Sequence, residues 1–233
     1  MHEAGGGRSG QPEHGLRVVR GIASGARQNS IVVASGANHS LKANEVAGLR
    51  SAFQGASYAL FQLETPLDAV GAALRLAKEE GARTMLDPAP AQPLSREITS
   101  MVDFLTPNET EACVLVGRPP GRVTMSDAPA LAFTLRELTG AGAVVLKLGE
   151  QGCLWWDGTM GFTSPGLPVQ AVDTTAAGDT FNGALAVALA EGKRAEDALR
   201  WANAAAALSV QKTGAQASIP LRAAVDSFLV SRR

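Results

Sequence analysis

Short apolar runs alternate with amphipathic stretches along most of the chain, and this alternation predicts strands that alternate with helices. The apolar runs that predict strands are residues 30–34, 58–62, 83–87, 101–107 and 143–149. The stretches between them with helical spacing are residues 43–54, 66–81, 108–117 and 127–140. This order is typical of βαβ units, so the pattern predicts an α/β fold whose mostly parallel sheet is covered by helices on both faces.

The two ends of the chain depart from this alternation. Residues 152–163 are expected to form a hairpin that turns at Asp157 and Gly158. Helical spacing then predicts helices over residues 177–191, 195–211 and 220–230. Residues 1–28 contain no sustained periodicity and are expected to be poorly ordered, so the predicted domain covers residues 29–233.

Composition and charge narrow the class of protein. The 233 residues are 45% hydrophobic and 18% charged, which suits one sizeable α/β domain with a buried core. The formal net charge of −1 argues against nucleic acid as the main partner. No apolar stretch is long enough to span a bilayer, so no membrane role is expected. Cys113 and Cys153 are far apart, which favours a reducing, cytoplasmic compartment.

An acid, Asp179, follows the run of small residues Ala176, Ala177 and Gly178 where an apolar helix is predicted to begin. Small residues let a ligand approach the backbone, and the first amides of a helix attract anions. An acid placed there could accept a proton from a hydroxyl that attacks a phosphate. The alternative is that Asp179 caps the helix, and the spacing alone leaves both open.

Other polar side chains come just after predicted strands, where open α/β sheets bind their ligands. Asn108 could contact phosphate oxygens and Glu111 could act on magnesium, although both suit the first turn of a capped helix. Asp173 could hold a cation beside the phosphate, or be an acid in a turn. Glu64 lies at the same sheet edge, or is an acid at a helix start.

The segment "LKLGEQG", residues 146–152, could wrap a nucleotide with its backbone or form a simple hairpin turn. The chain contains no Walker A sequence, which excludes a P-loop nucleotide site.

Together these motifs resemble the PfkB family of carbohydrate kinases, and within it the ribokinases. The stretch "DTTAAGDTFNGALAVAL" is similar to the C-terminal signature of the family, and "QLETPL", "DPAPA", "TPNETEA", "LGEQG" and "KTGAQASIP" recur in the ribokinase order. The resemblance covers residues 29–233. It implies a ribokinase-like three-layer αβα sandwich that phosphorylates D-ribose to D-ribose 5-phosphate with ATP.

The resemblance also implies a role for each matching residue. Asp179 would be the catalytic base, Ala176, Ala177 and Gly178 the anion hole, and Glu64, with Asp179, would bind the sugar. The implied nucleotide contacts are Asn108, Lys147, Leu148, Gly149, Glu150, Gln151, Gly152, Gly178 and Asn203. Glu111 would be tied to Mg²⁺, and the implied K⁺ ligands are Asp173, Thr175, Ser209, Lys212, Gly214 and Ser218.

The chain departs from the family pattern in three places. Lys147 stands where ribokinases often have Thr, and Asn203 where they have His. The Asn-x-Asp and Gly-Gly-Lys-Gly-Ala-Asn segments are not found, so the expected fold is N-terminally truncated with an absent or incomplete lid. Ribokinase-like homodimers pair through that lid, so its loss disfavours a dimer. The alternatives are a non-catalytic remnant that binds nucleotide or a partner subunit, and a kinase for another sugar or nucleoside.

Overall fold

The computed structural model describes residues 17–22, 29–34 and 36–232, with side chains from residue 36 onward. The strands are β1 (Arg17–Ile22), β2 (Asn29–Ala34), β3 (Tyr58–Phe61), β4 (Arg83–Leu86), β5 (Phe104–Leu105), β6 (Ala143–Lys147), β7 (Gly152–Trp156) and β8 (Gly161–Pro165). The α-helices are α1 (Ala43–Ala47), α2 (Arg50–Phe53), α3 (Leu67–Glu79), α4 (Arg96–Thr99), α5 (Glu109–Leu115), α6 (Ala128–Thr139), α7 (Ala177–Ala190), α8 (Ala195–Ser209) and α9 (Arg222–Val230).

Six strands form one sheet in the order β3-β4-β5-β6-β7-β8. Strands β3 to β6 are parallel, whereas β6, β7 and β8 pair antiparallel. The predicted α/β fold with a mostly parallel sheet is therefore confirmed. Because parallel strands present their carboxyl ends at one edge, the loops that follow β3 to β6 meet there.

Alternating side chains of the strands supply two apolar faces. Met85 and Phe104 belong to a core that includes residues of α7, α8 and α9. Their neighbours Leu86 and Leu105 point the other way, into a core shared with α3. This alternation follows from the two-residue period of a strand. It explains why runs such as "AVVL", residues 143–146, are apolar throughout: the sheet is covered on both faces.

Several predicted elements differ in extent from the observed ones. The helix expected over residues 43–54 is two short helices, α1 and α2, separated at Gly48 and Leu49, where glycine weakens a helix interior. The strand expected over residues 101–107 is reduced to Phe104–Leu105. The short helix α4, capped by the Ser95 side chain, was not predicted.

The chain before residue 36 contributes an antiparallel pair, β1 with β2, in which Arg17 opposes Ala34. The sequence predicts β2 correctly but not β1, which lies within the stretch expected to be poorly ordered. Its sequence "RVVRGI" is rich in β-branched residues, which favour strands. The rest of that stretch, residues 1–16 and 23–28, lies outside the described residues.

The predicted hairpin and the three C-terminal helices are all present. Strands β7 and β8 pair along their length, and the Asp157 carboxylate closes the turn by accepting from the Thr159 and Met160 amides at 2.8 Å each. Within the described part of the chain, none of the helices combines the length and apolarity that a membrane crossing requires.

Candidate active site

Polar side chains from separate elements meet at the carboxyl edge of the parallel strands. Gln62 and Asp87 come directly after β3 and β4, Lys147 is the last residue of β6, and Asn108 pairs with Lys147 in an isolated parallel bridge. Helix α7 begins beside them, because Asp179 in its first turn contacts Gln62. This edge therefore holds the sequence-predicted candidates Asn108, Lys147 and Asp179 together.

Asp179 does not cap helix α7. The N-cap is Ala176, no side chain caps the helix, and Asp179 Oδ1 instead accepts a hydrogen bond from Gln62 Nε2. The capping alternative for Asp179 is therefore wrong. Its carboxyl group is turned across the sheet edge towards the end of β3, where it is accessible to a ligand.

The turn before Asp179 holds an unusual backbone. Ala176 is left-handed, with φ 57°, a conformation that a residue with a side chain seldom adopts. The Thr180 amide then donates to the Ala176 carbonyl at 2.9 Å, which starts the helix. Since the first amides of a helix have no carbonyl one turn back, those of Gly178 and Asp179 can serve an anion.

Directly behind this turn lies a buried ion pair. Lys147 Nζ is 2.5 Å from Asp87 Oδ2, and the two side chains are 12% and 6% exposed. Asn182 Nδ2, one turn into α7, donates to the same oxygen at 2.7 Å. A Cβ on Gly178 would lie 3.3 Å from Lys147 Nζ and 3.7 Å from Asp87 Oδ2. Glycine at this position thus lets the turn before Asp179 pack against the ion pair.

Asn108 and Glu111 form a reciprocal cap at the start of α5. The Glu111 amide donates to Asn108 Oδ1 at 2.9 Å, and Glu111 Oε2 accepts from the Asn108 amide at 2.7 Å. The helix-cap interpretation of Asn108 is therefore confirmed. Glu111 is only 8% exposed, and burial, followed by the negative charge of Asp87, raises the pKa of its carboxyl group to about 7.

The pKa of Asp179 is also raised above its ordinary value. Partial removal of the carboxyl group from water is the larger cause and the charge of Asp87 the second, while the Lys147 ammonium opposes both. A higher pKa makes a carboxylate a stronger proton acceptor, so the surroundings of Asp179 favour the work of a base.

The segments expected to bind a monovalent cation are brought together. Asp173 Oδ1 accepts from the Thr175 amide at 2.9 Å, which confirms Asp173 as a turn acid, and Asp173 Oδ2 accepts from the Gly214 amide at 3.0 Å. The Asp173 amide donates to the Val210 carbonyl at 3.1 Å, next to Ser209. Lys212 is exposed, whereas Ser218 is buried in the 3-10 turn Gln216–Ser218.

The segment expected to contact a nucleotide runs from Lys147 through a 3-10 turn, Gly149–Gln151, into β7 at Gly152. Leu148 is buried, Gly149 and Glu150 are exposed, and the Gln151 amide group donates to the Val123 carbonyl at 2.9 Å. Gly149 and Glu150 therefore leave part of this turn open to solvent just beyond the end of β6.

Asn203 differs from the other predicted nucleotide contacts because it lies well inside a helix. It is buried in α8, and its amide group donates to Ser164 Oγ at 3.0 Å and to the Ser164 carbonyl at 3.1 Å. These bonds tie α8 to β8, so the side chain already has protein partners.

Glu64 is exposed and lines a groove of about 360 Å³ beside β3, together with Gln62 and Thr65. Because Gln62 also binds Asp179, the groove and the Asp179 carboxyl group meet at that residue. The remaining lining is mostly apolar and includes residues of α1, α2, β3 and α3.

Gln62, Asp87 and Asn182 also belong to this site, although the sequence pattern did not predict them. Gln62 and Asp87 each follow a predicted strand, so the same reasoning that selected Glu64 and Asn108 would have found them. Asn182 lies inside a helix and carries no such signal.

Comparison with known proteins gives one family. The model of the pfkB family carbohydrate kinases matches residues 17–222 of this chain. The match begins at the first described strand and includes every residue of the sheet edge described above.

Ribokinases are among the similar proteins. The chain is 43% identical over 202 residues to a ribokinase of Haemophilus influenzae, covering 87% of this chain. A ribokinase crystal structure from Thermotoga maritima superposes with a TM-score of 0.78 at 38% identity, over 92% of this chain and 69% of that one. The structure of an Arabidopsis thaliana ribokinase complexed with ribose and ATP superposes with a TM-score of 0.75 at 35% identity. The match covers 87% of this chain and 65% of that one. The chain spans 65% of the length of the Haemophilus protein.

Proposed function

We propose that this chain, which belongs to the pfkB family of carbohydrate kinases, transfers the terminal phosphoryl group of ATP to D-ribose. The product would be D-ribose 5-phosphate. The observation that carries the proposal is the setting of Asp179: it caps no helix, it follows an anion-binding turn, and it is held at the groove by Gln62. This is the arrangement that a base for phosphoryl transfer requires.

In the proposed reaction the sugar hydroxyl attacks the terminal phosphorus of ATP. Asp179 accepts the hydroxyl proton, the new O–P bond forms, and the bond from that phosphorus to ADP breaks, with ADP leaving as the anion. The raised pKa of Asp179 supports this role, because a base works best when its pKa lies near the pH at which the reaction runs.

The turn Ala176–Gly178 would stabilise the charge on the transferring group. Its helix-start amides would point at the phosphoryl oxygens, and such donors typically lower the barrier by about 3 kcal/mol each. The exposed turn Gly149–Gln151 would support the nucleotide, with Asn108 at the neighbouring strand end. Glu64 and Gln62 would contact sugar hydroxyls from the groove.

Glu111 fits a role towards Mg²⁺. The described residues contain no group of three or more His, Cys, Asp and Glu side chains that could hold a metal alone. Magnesium at nucleotide sites usually needs only one or two carboxylates beside the phosphates, so Glu111 suffices, directly or through water. The ion would neutralise the nucleotide phosphates when bound.

The contact between Asp173 and the loop from Val210 to Gly214 fits a role towards K⁺. We propose that Asp173, the Thr175 carbonyl and backbone oxygens of that loop, out to Ser218, hold a monovalent cation. Its chemistry would be electrostatic, fixing the turn that leads into Ala176. We place the reaction in the cytoplasm, because Cys113 and Cys153 are free and buried rather than paired.

The test is ADP formation by the purified chain with ATP, Mg²⁺ and K⁺, with and without D-ribose. Ribose-dependent turnover is expected, with ribose 5-phosphate as its product. Asp179→Asn should lower kcat on the order of 100- to 10,000-fold, because the variant cannot accept the proton. The matched control is Asp197→Asn, an exposed acid in the first turn of α8, which should leave kcat unchanged.

Two results would contradict the proposal. Protein that is folded and binds ATP but makes no ribose-dependent ADP would support a nucleotide-binding remnant instead. Turnover that another pentose or a nucleoside supports much better than D-ribose would keep the kinase and change its acceptor.

A further inference from the structure

The buried pair Asp87–Lys147 is more than the proposed reaction needs. Asp87 is 4% exposed, and its Oδ2 accepts from both Lys147 Nζ and Asn182 Nδ2. Its other oxygen, Oδ1, is buried without a hydrogen-bond partner among the described residues, as is Asn182 Oδ1. Removing two charges from water can cost as much free energy as their attraction returns, so this buried pair calls for an explanation beyond packing.

The pair lies where the reacting charge would be. Lys147 Nζ would be 3.3 Å from a Cβ on Gly178, so no side chain separates the ammonium from the anion-binding turn. Around it, Asp87, Glu111 and Asp179 bring carboxyl groups, and Lys147 supplies the one cation of this cluster of described residues. An incoming triphosphate would meet those acids, and a fixed cation is what offsets that repulsion.

We propose that Asp87 is a positioning residue that holds the Lys147 ammonium against Gly178, where it contacts the terminal phosphates of the nucleotide. The inference rests on the proposed kinase function and adds to it a side-chain cation whose place is set by a carboxylate on another strand. Asp87 acts on two parts at once, since it also fixes Asn182 and with it the first turns of α7.

The competing explanation is that the pair only stabilises the fold. A buried pair broken on one side strands a charge in the core, so single variants at either residue lose stability whatever their role. Removing both charges together avoids that penalty and often restores stability. The double variant Asp87→Asn/Lys147→Met therefore separates the two explanations.

The experiment compares wild type, Asp87→Asn, Lys147→Met and the double variant in three measurements. These are the melting temperature, kcat with D-ribose, and the dissociation constants of ATP and AMP by calorimetry. We expect the double variant to regain most of the melting temperature lost by Lys147→Met. Its kcat should stay lower than wild type by roughly 10- to 100-fold, the usual effect of one charged contact.

The affinity ratio of ATP to AMP gives a readout that a structural role would not move. AMP lacks the terminal phosphates. The variant Lys147→Met and the double variant should therefore raise the dissociation constant of ATP roughly 10-fold or more and leave that of AMP unchanged. Asp87→Asn keeps the ammonium but not its anchor, so its loss in ATP affinity should be smaller. This measurement does not depend on turnover, and hence stands even if D-ribose is not the acceptor.

The matched control is Lys78→Met. It breaks another Lys–Asp pair, Lys78 with Asp103 at 2.9 Å, beside Thr84 at the opposite edge of the sheet. This variant should alter neither kcat nor the ratio of ATP to AMP affinity. The proposal is overturned if the double variant recovers kcat along with its melting temperature. It is also overturned if wild-type protein binds ATP no more tightly than AMP.

Discussion

Gly178 is the residue at which the proposed anion-binding turn contacts the buried ion pair. Gly178→Ala would add a Cβ 3.3 Å from Lys147 Nζ, a distance that forces the ammonium to shift. We expect kcat to fall roughly 10- to 100-fold, because donors and cation lose their alignment, while the free energy of unfolding changes by only about 1 kcal/mol. Steady-state kinetics and urea unfolding on the same protein check both parts.

Gly183 offers the control for this prediction within the same helix. A Cβ there has nothing within 4 Å, and alanine is the better helix former. Gly183→Ala should therefore raise the free energy of unfolding by about 0.5 to 1 kcal/mol and leave kcat as it is. Equal losses of kcat in the two variants would contradict a specific role for the space at Gly178.

The protonation of Glu111 predicts a pH-dependent stability. Its pKa is raised from 4.5 to about 7 in the folded protein, whereas in the unfolded chain it returns to the ordinary value. Between these values the folded state keeps a proton that the unfolded state has lost. Raising the pH through this window therefore lowers the free energy of unfolding, by roughly 3 kcal/mol in total.

Glu111→Gln removes the titrating group, so the loss of stability between about pH 4.5 and pH 7 should be smaller in this variant. Urea unfolding across that range, with a chelator present, measures the slope. If the variant keeps the full wild-type slope, some other group causes it.

The sequence predicts which polar residues lie at the sheet edge better than it predicts which side chains they contact. Asp179 could be identified because a run of small residues precedes it, and the structure places this run at the start of α7, as the pattern predicts. Asp87 could not be connected to Lys147, since 60 residues separate them and only the pairing of β4, β5 and β6 brings them together. The partner of Asp179 was hidden for the same reason, with 117 residues between it and Gln62.

At the scale of elements, the β7–β8 hairpin depends on one glycine. Gly152 has φ 104°, and a Cβ there would lie 2.1 Å from the Ser164 carbonyl oxygen of the paired strand. Gly152→Ala should lower the free energy of unfolding by about 3 kcal/mol or more, because backbone strain and a clash with main-chain atoms add. Nucleotide affinity should fall as well, since this residue ends the turn Gly149–Gln151.

Gly81 separates the contribution of backbone strain from that of the clash. It also has a positive φ, 81°, but a Cβ there meets nothing within 4 Å. Gly81→Ala should therefore cost only the backbone strain, about 1 kcal/mol. Thermal unfolding of both variants measures the difference, and similar losses would contradict the importance of the clash.

Elements were predicted well where burial alone sets the pattern. Strands β4 and β6 and helices α3, α6 and α8 have long apolar periods and lie close to their expected bounds. The short elements carry too few residues for a period to show. Helix α4 and strand β5 depend on tertiary packing, and β1 depends on pairing with β2.

At the scale of the whole molecule, β3 is an edge strand of the described six-stranded sheet. Leu60 on this edge is 44% exposed, and Leu49 across the groove is 50% exposed. Exposed apolar edges favour association between chains. We expect the sedimentation coefficient of the chain to rise with concentration, and Leu60→Lys to reduce that rise.

Leu221→Lys is the control, because Leu221 is 81% exposed but lies just before α9, away from the edge. It should leave the concentration dependence as it is. An equal effect of the two substitutions would show that net charge, rather than the edge of β3, governs association.

The position of Asp87 early in the chain also affects how the protein is made. On a ribosome it emerges 60 residues before Lys147 and 95 before Asn182. At roughly 5 to 20 residues per second, it waits about 3 to 19 seconds for its partners. A nascent chain that packed β4 during this interval would trap a carboxylate without a cation. We therefore expect the sheet to pack only after translation has passed α7, and the nascent chain up to Ala190 to need a chaperone until then.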